Sequence, residues 1–187
     1  SSLLTKEEWS NLSWALLLGG FLGARIGFAL FYEPVFFLRH PSRLLLPYDV
    51  VTGTWVSIRG MSFHGGVVGI AFTLLWYARY KQRDFWQLTD TLAVVAPLVS
   101  FFGRIGNFLN QELPGVITRS HIGMYFPGET VLRHPVTLYS ALGEGLFLFG
   151  WMLFWRKRIA RRGGMTMLYL FSYALVRIVL EIWRQPD

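Results

Sequence analysis

Five stretches of this chain, at roughly 9–33, 64–80, 87–110, 135–156 and 164–184, are long and apolar enough to read as membrane-crossing helices. In hydrocarbon each backbone N–H and C=O must be satisfied inside its own segment. A chain with five such stretches is therefore restricted to an all-α, polytopic membrane helical bundle. Aromatic residues make up 17% of the 187 positions, with eight Trp, eight Tyr and sixteen Phe, which suits helices with interfacial ring belts better than a soluble core. The first stretch carries Gly19, Gly23 and Gly27 at four-residue spacing, a small-residue ridge that lets a second helix approach closely. Two segments, 34–63 and 111–134, are rich in Pro, Gly and Arg and too polar to face lipid; they read as irregular external arms. No internal repeat or low-complexity linker divides the chain, so a single domain over 1–187 is the simplest organisation.

The net charge of +7 is carried mostly by arginines between the apolar stretches, where they orient helices and meet anionic headgroups; no nucleic-acid partner is implied. Lys81 and Arg83 occupy one short loop, and Arg156, Lys157, Arg158, Arg161 and Arg162 another. Helix order puts both loops on one side, which the positive-inside rule makes cytoplasmic; the two irregular segments then face outward. The chain contains no cysteine, which excludes a disulfide framework, a thiolate metal site and an enzymic thiol nucleophile. Its four histidines, His40, His64, His121 and His134, show no metal-ligand spacing, and neither a metal nor a cofactor is expected. Residues 1–8 are polar and do not read as a signal peptide.

Polar residues then stand out against the apolar background. Gly103-Arg104-Ile105-Gly106-Asn107-Phe108-Leu109-Asn110 follows an uncharged run over 92–102. An arginine at mid-membrane costs about 2.5–3.5 kcal/mol on insertion scales, so it is kept for a partner charge or an anionic ligand. Asn107 shares its face, and together they offer a planar charged fork with amide donors beside it, which suits phosphate. The alternative is a structural arginine paired with a glutamate on a neighbouring helix. Tyr173, Arg177, Glu181 and Arg184 form one stripe on the last helix, and Thr137, Ser140 and Glu144 another on the fourth. With Arg25 on the first helix and His64 opening the second, five helices place ionisable groups in the outer half of the membrane; Asp90 is the main exception. Arg25, Arg104 and Arg177 outnumber Glu144 and Glu181, a surplus that favours an anionic ligand in an outward-open cavity.

The run from Gly103 through Gln111-Glu112-Leu113-Pro114-Gly115 resembles the signature of the bacterial prolipoprotein diacylglyceryl transferase family. Gly60-Met61-Ser62-Phe63-His64-Gly65-Gly66 resembles that family's histidine motif. Arg133-His134-Pro135 with Leu138-Tyr139 and Glu144-Gly145 resembles a third motif, and Arg177 to Glu181 with Arg184 to Asp187 a fourth. Gly23-Ala24-Arg25-Ile26-Gly27 is a weaker fifth match. These motifs occur in the family's order and span nearly the whole chain. Members usually have seven membrane helices against five read here, so one helix is expected before Ser1 and another after Asp187. The segment after Glu112 is also shorter than the family's external arm, and the one from Pro41 longer.

The resemblance implies transfer of the diacylglyceryl group of phosphatidylglycerol to the lipobox cysteine of a prolipoprotein, with release of glycerol phosphate, in the bacterial cytoplasmic membrane. Phosphatidylglycerol, lipobox peptides and membrane lipids are the implied partners. The substrate brings the thiol, so an enzyme without cysteine loses nothing. Under this reading His64, Arg104 and Arg177 are the catalytic candidates: the arginines hold the phosphate as its charge grows, and His64, with His134 second, deprotonates the thiol. A headgroup-positioning role for His64 stands beside that of a base. Arg104, Asn107, Glu112, Gly115 and Arg177 are the phospholipid-binding candidates, with Asn107 and Glu112 contacting glycerol hydroxyls or else capping the arm. Arg25, Tyr139, Glu144, Glu181 and Arg184 support the site, the glutamates orienting arginines. Rival readings are an arginine-lined phospholipid or anion transporter, which would be expected to show repeat symmetry, a structural membrane protein, and a lipid-modifying transferase with another acceptor.

Overall fold

The computed structural model describes residues 3–44, 48–49, 54–55 and 60–185. The chain divides into two compact units, Ser1–Phe85 and Trp86–Asp187.

In the first unit helix α1, Lys6–Phe31, runs 26 residues, about 39 Å at 1.5 Å per residue and enough to cross a bilayer core. Its start is fixed by a capping box. The Thr5 hydroxyl accepts the Glu8 N–H at 3.2 Å while the Glu8 carboxylate accepts the Thr5 N–H at 2.9 Å. Helix α2, Pro34–Arg39, is short, and α3 is Phe63–Tyr80. The glycine ridge of α1 meets a second one on α3. A Cβ built on Gly23 would lie 2.8 Å from the Gly69 Cα, and one on Gly27 2.8 Å from the Gly65 Cα. Backbone therefore touches backbone, and dispersion replaces the hydrophobic drive that lipid removes. The pair is fastened at both ends. Ser62 N–H donates to the Ala24 carbonyl at 2.9 Å, and Tyr77 O–H to the Glu8 carbonyl at 2.9 Å. Among the described residues the only strands are β1, Tyr48–Asp49, and β2, Thr54–Trp55, a two-residue antiparallel pair within the irregular segment.

The second unit holds α4, Phe85–Leu109, from its second residue on, then α5, Val136–Trp155, and α6, Gly164–Leu180, which tightens into a 3₁₀ turn through Trp183. Helix α5 is not regular. Residues Ala141–Phe147 form a π-helical segment, with Leu148 N–H reaching back to the Gly143 carbonyl five residues earlier. Such segments are rare and cluster at functional sites. The N-terminus of α6 is capped from α4. Asp90 accepts Gly163 N–H at 2.7 Å on one oxygen, and Thr166 N–H at 2.8 Å and Thr166 O–H at 2.7 Å on the other. The group that looked out of place among the outer-half polar residues is therefore a helix cap. Ala93, Met152 and Met165, with Val94, Trp155, Ile159, Leu168 and Tyr169 around them, form a core at this end.

All five expected helices are present, but among the described residues four have the length and apolarity of a membrane span: Lys6–Phe31, Phe85–Leu109, Val136–Trp155 and Gly164–Trp183. The expectation of five is corrected at α3. Its 18 residues reach about 27 Å, and His64, Gly65, Gly66, Gly69 and Arg79 dilute its apolarity. The fold is all-α, and the protein is a multi-pass membrane protein.

Candidate active site

Three helices of the second unit converge on one carboxylate. Glu144 sits in the π-helical segment of α5 and is wholly inaccessible to solvent. The backbone there lies against α4: a Cβ on Gly145 would stand 2.9 Å from the Phe101 Cα. Arg104 of α4 brings Nε and Nη2 to the same Glu144 oxygen, both at 3.0 Å. Arg177 of α6 donates from Nη1 to the other oxygen at 3.2 Å. The second Arg177 terminal nitrogen lies 3.0 Å from Glu181, and Arg184 lies 3.7 Å from the far oxygen of Glu181.

The row thus reads Arg104, Glu144, Arg177, Glu181, Arg184, three cations alternating with two anions. Burying Glu144 alone would be prohibitive; two guanidiniums make it tolerable. The Arg104 and Arg177 side chains remain 24% and 25% exposed. Each guanidinium has five N–H donors, and Glu144 and Glu181 engage only some of them. What remains is a cationic surface with directional donors, backed by a carboxylate that fixes its geometry.

Arg133 and Gly115 brace the irregular segment after α4 against the end of α6. Gly115 N–H donates to the His134 carbonyl at 3.0 Å, Val116 N–H to the Trp183 carbonyl at 3.0 Å and His134 N–H to the Val116 carbonyl at 3.1 Å. Arg133 donates to the Gly115 carbonyl at 3.1 Å and to the Gln185 side chain at 2.9 Å, and it pairs with Glu129 at 3.1 Å. Gly115 is buried at this crossing, where a Cβ would stand 2.6 Å from the His134 carbonyl oxygen and 2.7 Å from that of Trp183. Its placement is that of a packing glycine. Tyr139 bridges His134 and Trp183: its hydroxyl is 3.0 Å from His134 Nδ1, and its ring meets Trp183 edge-on at 6.0 Å.

Asn107 is half-buried one turn beyond Arg104, and Glu112 is exposed on the arm; among the described residues neither side chain makes a hydrogen bond. The chain between them and Gly115 turns sharply, with Gln111 at φ 58° and Leu113 at φ 55°, both left-handed and strained for a side-chain-bearing residue. Arg25 belongs to the first unit. It is buried, donates to the carbonyls of Leu44, Arg43 and Gly60 at 3.0, 2.7 and 3.0 Å, and stacks on Phe37 at 4.9 Å. Its work is to hold the irregular segment to α1. His64, also in the first unit, is exposed in the first turn of α3, beside Phe63. Among the described residues no group of His, Asp and Glu is arranged to hold a metal.

Asp90, Arg133 and Trp183 carry structural roles that the sequence did not assign. The π-helical register is the deeper omission. Its one visible trace is the Gly143-Glu144-Gly145 triplet, two poor helix formers flanking an acid inside an apolar helix.

The sequence profile of the family described as Prolipoprotein diacylglyceryl transferase matches residues 2–187. The chain is 44% identical over 186 residues to a phosphatidylglycerol–prolipoprotein diacylglyceryl transferase of Wolinella succinogenes, covering 98% of this chain and 67% of that protein. A protein of the same name from Idiomarina loihiensis is 41% identical over 184 residues, covering 98% and 66%, and one from Chlorobaculum tepidum 43% over 183, covering 94% and 62%. The chain spans about two thirds of the length of these relatives.

Proposed function

The chain belongs to the prolipoprotein diacylglyceryl transferase family, and from that premise we propose that it transfers the diacylglyceryl group of phosphatidylglycerol to the lipobox cysteine of a prolipoprotein. The observation that supports this most is the shared carboxylate: Glu144 holds Arg104 and Arg177 side by side while both keep donors for a phosphate.

In the reaction the substrate sulfur attacks the glyceryl carbon that carries the phosphoester oxygen. A C–S bond forms, the C–O bond breaks, and the bonding electrons leave with glycerol phosphate. The singly charged phosphodiester becomes a monoester with a second negative charge. Two fixed guanidiniums stabilise that growing charge more than the ground state, which is the requirement for catalysis. The thiol proton leaves to a base. His64 is the first candidate; His134, oriented through Nδ1 by Tyr139, is the second. Asn107 and Glu112 supply polar contacts for the glycerol headgroup.

The site belongs on the outer side of the bacterial cytoplasmic membrane, because the basic turns at Lys81–Arg83 and Arg156–Arg162 mark the cytoplasmic side. The deciding assay incubates full-length protein with labelled phosphatidylglycerol and a lipobox peptide. Mass spectrometry is expected to find a diacylglyceryl thioether on the peptide cysteine. Lipid translocation without that product would point to a transporter, and a different modified group to another acceptor.

A further inference from the structure

The turn joining α5 to α6 has a charge imbalance of its own. Arg156, Lys157, Arg158, Arg161 and Arg162 fall within seven positions, and all five are exposed. Among the described residues Arg156, Lys157 and Arg161 meet no carboxylate. Asp90, which reaches this turn from α4, directs its oxygens to Gly163 and Thr166 instead. One cation rests on a cluster of rings: the Arg158 guanidinium lies 3.9 Å over Phe154 and donates to the Phe154 carbonyl at 2.6 Å, and Trp151 packs against Phe154 and Trp155 at 6.2 and 5.6 Å. Ile159 is tucked beside the core of Ala93, Met152 and Met165, so the turn is anchored while its five cations stay exposed.

We propose that this turn is a binding platform for anionic phospholipid headgroups, in the leaflet opposite the Arg104–Glu144–Arg177 cluster. Eleven residues of α5 separate Glu144 from Trp155, about 16 Å of helix, so one lipid cannot serve both places. Aromatic rings take headgroup depth, and Arg156, Lys157 and Arg161, which meet no carboxylate, lie just beyond them, the arrangement that attracts acidic lipid. Arginine forks bind phosphate oxygens in pairs, and Lys157 adds a point charge. A zwitterionic headgroup would bring its own cation to a surface that already has too many. Only the choice of leaflet rests on the function proposed above.

Native mass spectrometry of the full-length protein, loaded from mixed dioleoyl phosphatidylserine and dioleoyl phosphatidylcholine, tests the platform without using the transferred lipid. Retention of phosphatidylserine in excess of phosphatidylcholine is expected. It is expected to fall at least tenfold in the Arg156→Gln, Lys157→Gln, Arg161→Gln triple variant and to persist in Arg156→Lys, Arg161→Lys, which keeps charge and topology. The tenfold fall is expected again when the triple substitution is made on an Arg104→Gln background, which separates the platform from the transfer site. Equal retention of the two lipids, or undiminished phosphatidylserine in the neutralised triple variant, would overturn the proposal whatever the transfer assay shows.

Discussion

Glu144 makes Arg104 and Arg177 interdependent, and that interdependence predicts how each variant fails. Arg104→Lys keeps the charge but cannot place two N–H donors on one carboxylate oxygen while offering a third group outward. Charge-assisted hydrogen bonds are worth about 1.5–3 kcal/mol, so losing one in the transition state slows transfer by at least a factor of about ten. Arg25→Lys is the instructive comparison. From sequence it reads as the milder change, because α1 looks like a packing element. Three backbone carbonyls and a ring on Arg25 move the expected damage from rate to stability. A lowered melting temperature with near-normal turnover in the surviving protein is expected for Arg25→Lys, and the reverse for Arg104→Lys. Near-normal transfer by Arg104→Lys would place the phosphate elsewhere, first at Arg177.

His64 is tested by pH. A cysteine thiol with pKa near 8.5 is about 3% ionised at pH 7 and half ionised at pH 8.5. If His64 is the base, His64→Asn keeps its affinity for phosphatidylglycerol, loses transfer at pH 7 and recovers roughly tenfold by pH 8.5, relative to the unchanged protein. A deficit that does not vary with pH, or lost lipid affinity, assigns His64 to headgroup positioning. The same pair of measurements on His134→Asn decides whether the imidazole held by Tyr139 takes the proton instead.

At the scale of elements, the α1–α3 contact sets backbone directly against backbone. Gly23→Ala sets a methyl 2.8 Å from the Gly69 Cα and within hydrogen-bonding distance of backbone atoms on α3. Neither backbone can yield locally, so the helices must separate and lose dispersion along the whole ridge. Thermal unfolding in detergent is expected to show a clear loss of stability for Gly23→Ala. Gly150→Ala, where nothing lies within 4 Å, is expected to be neutral or slightly stabilising, since alanine is the better helix former. Equal melting temperatures for the two variants would mean the ridge is not in contact.

The ridge was legible in the sequence as a spacing of four, and so were the positions of all five helices. The capping box was equally visible in Thr5-Lys6-Glu7-Glu8, yet a hydropathy reading starts at the apolar residues and placed the beginning of α1 three residues late. The stripes that hold Arg104, Glu144 and Arg177 followed from helical periodicity. That both arginines meet one carboxylate did not, because a π-helical segment shifts Glu144 by part of a turn and carries no periodic signature. Nor did the docking of Asp90 on α6, which depends on the approach of elements 73 residues apart in sequence.

For the whole molecule the outstanding quantity is orientation, and the charge distribution makes it testable. Seven cations lie in the turns at Lys81–Arg83 and Arg156–Arg162, while the irregular segment that braces against α6 carries Arg119 and Arg133. The bias is therefore moderate, but the densest cluster lies in a short loop, where the positive-inside rule has most weight. Reversing the orientation would have to pull charged side chains through the bilayer at a few kcal/mol apiece. The chain has no cysteine of its own, so a single introduced thiol reports without background. In intact cells, full-length protein with cysteine at Lys157 is expected to stay protected from an impermeant maleimide, and with cysteine at Arg119 to be labelled; permeabilising the cells should expose the first. The opposite pattern would put the Arg104–Glu144–Arg177 cluster on the cytoplasmic side, out of reach of a substrate modified after export, and with it the transferase mechanism would lose its acceptor.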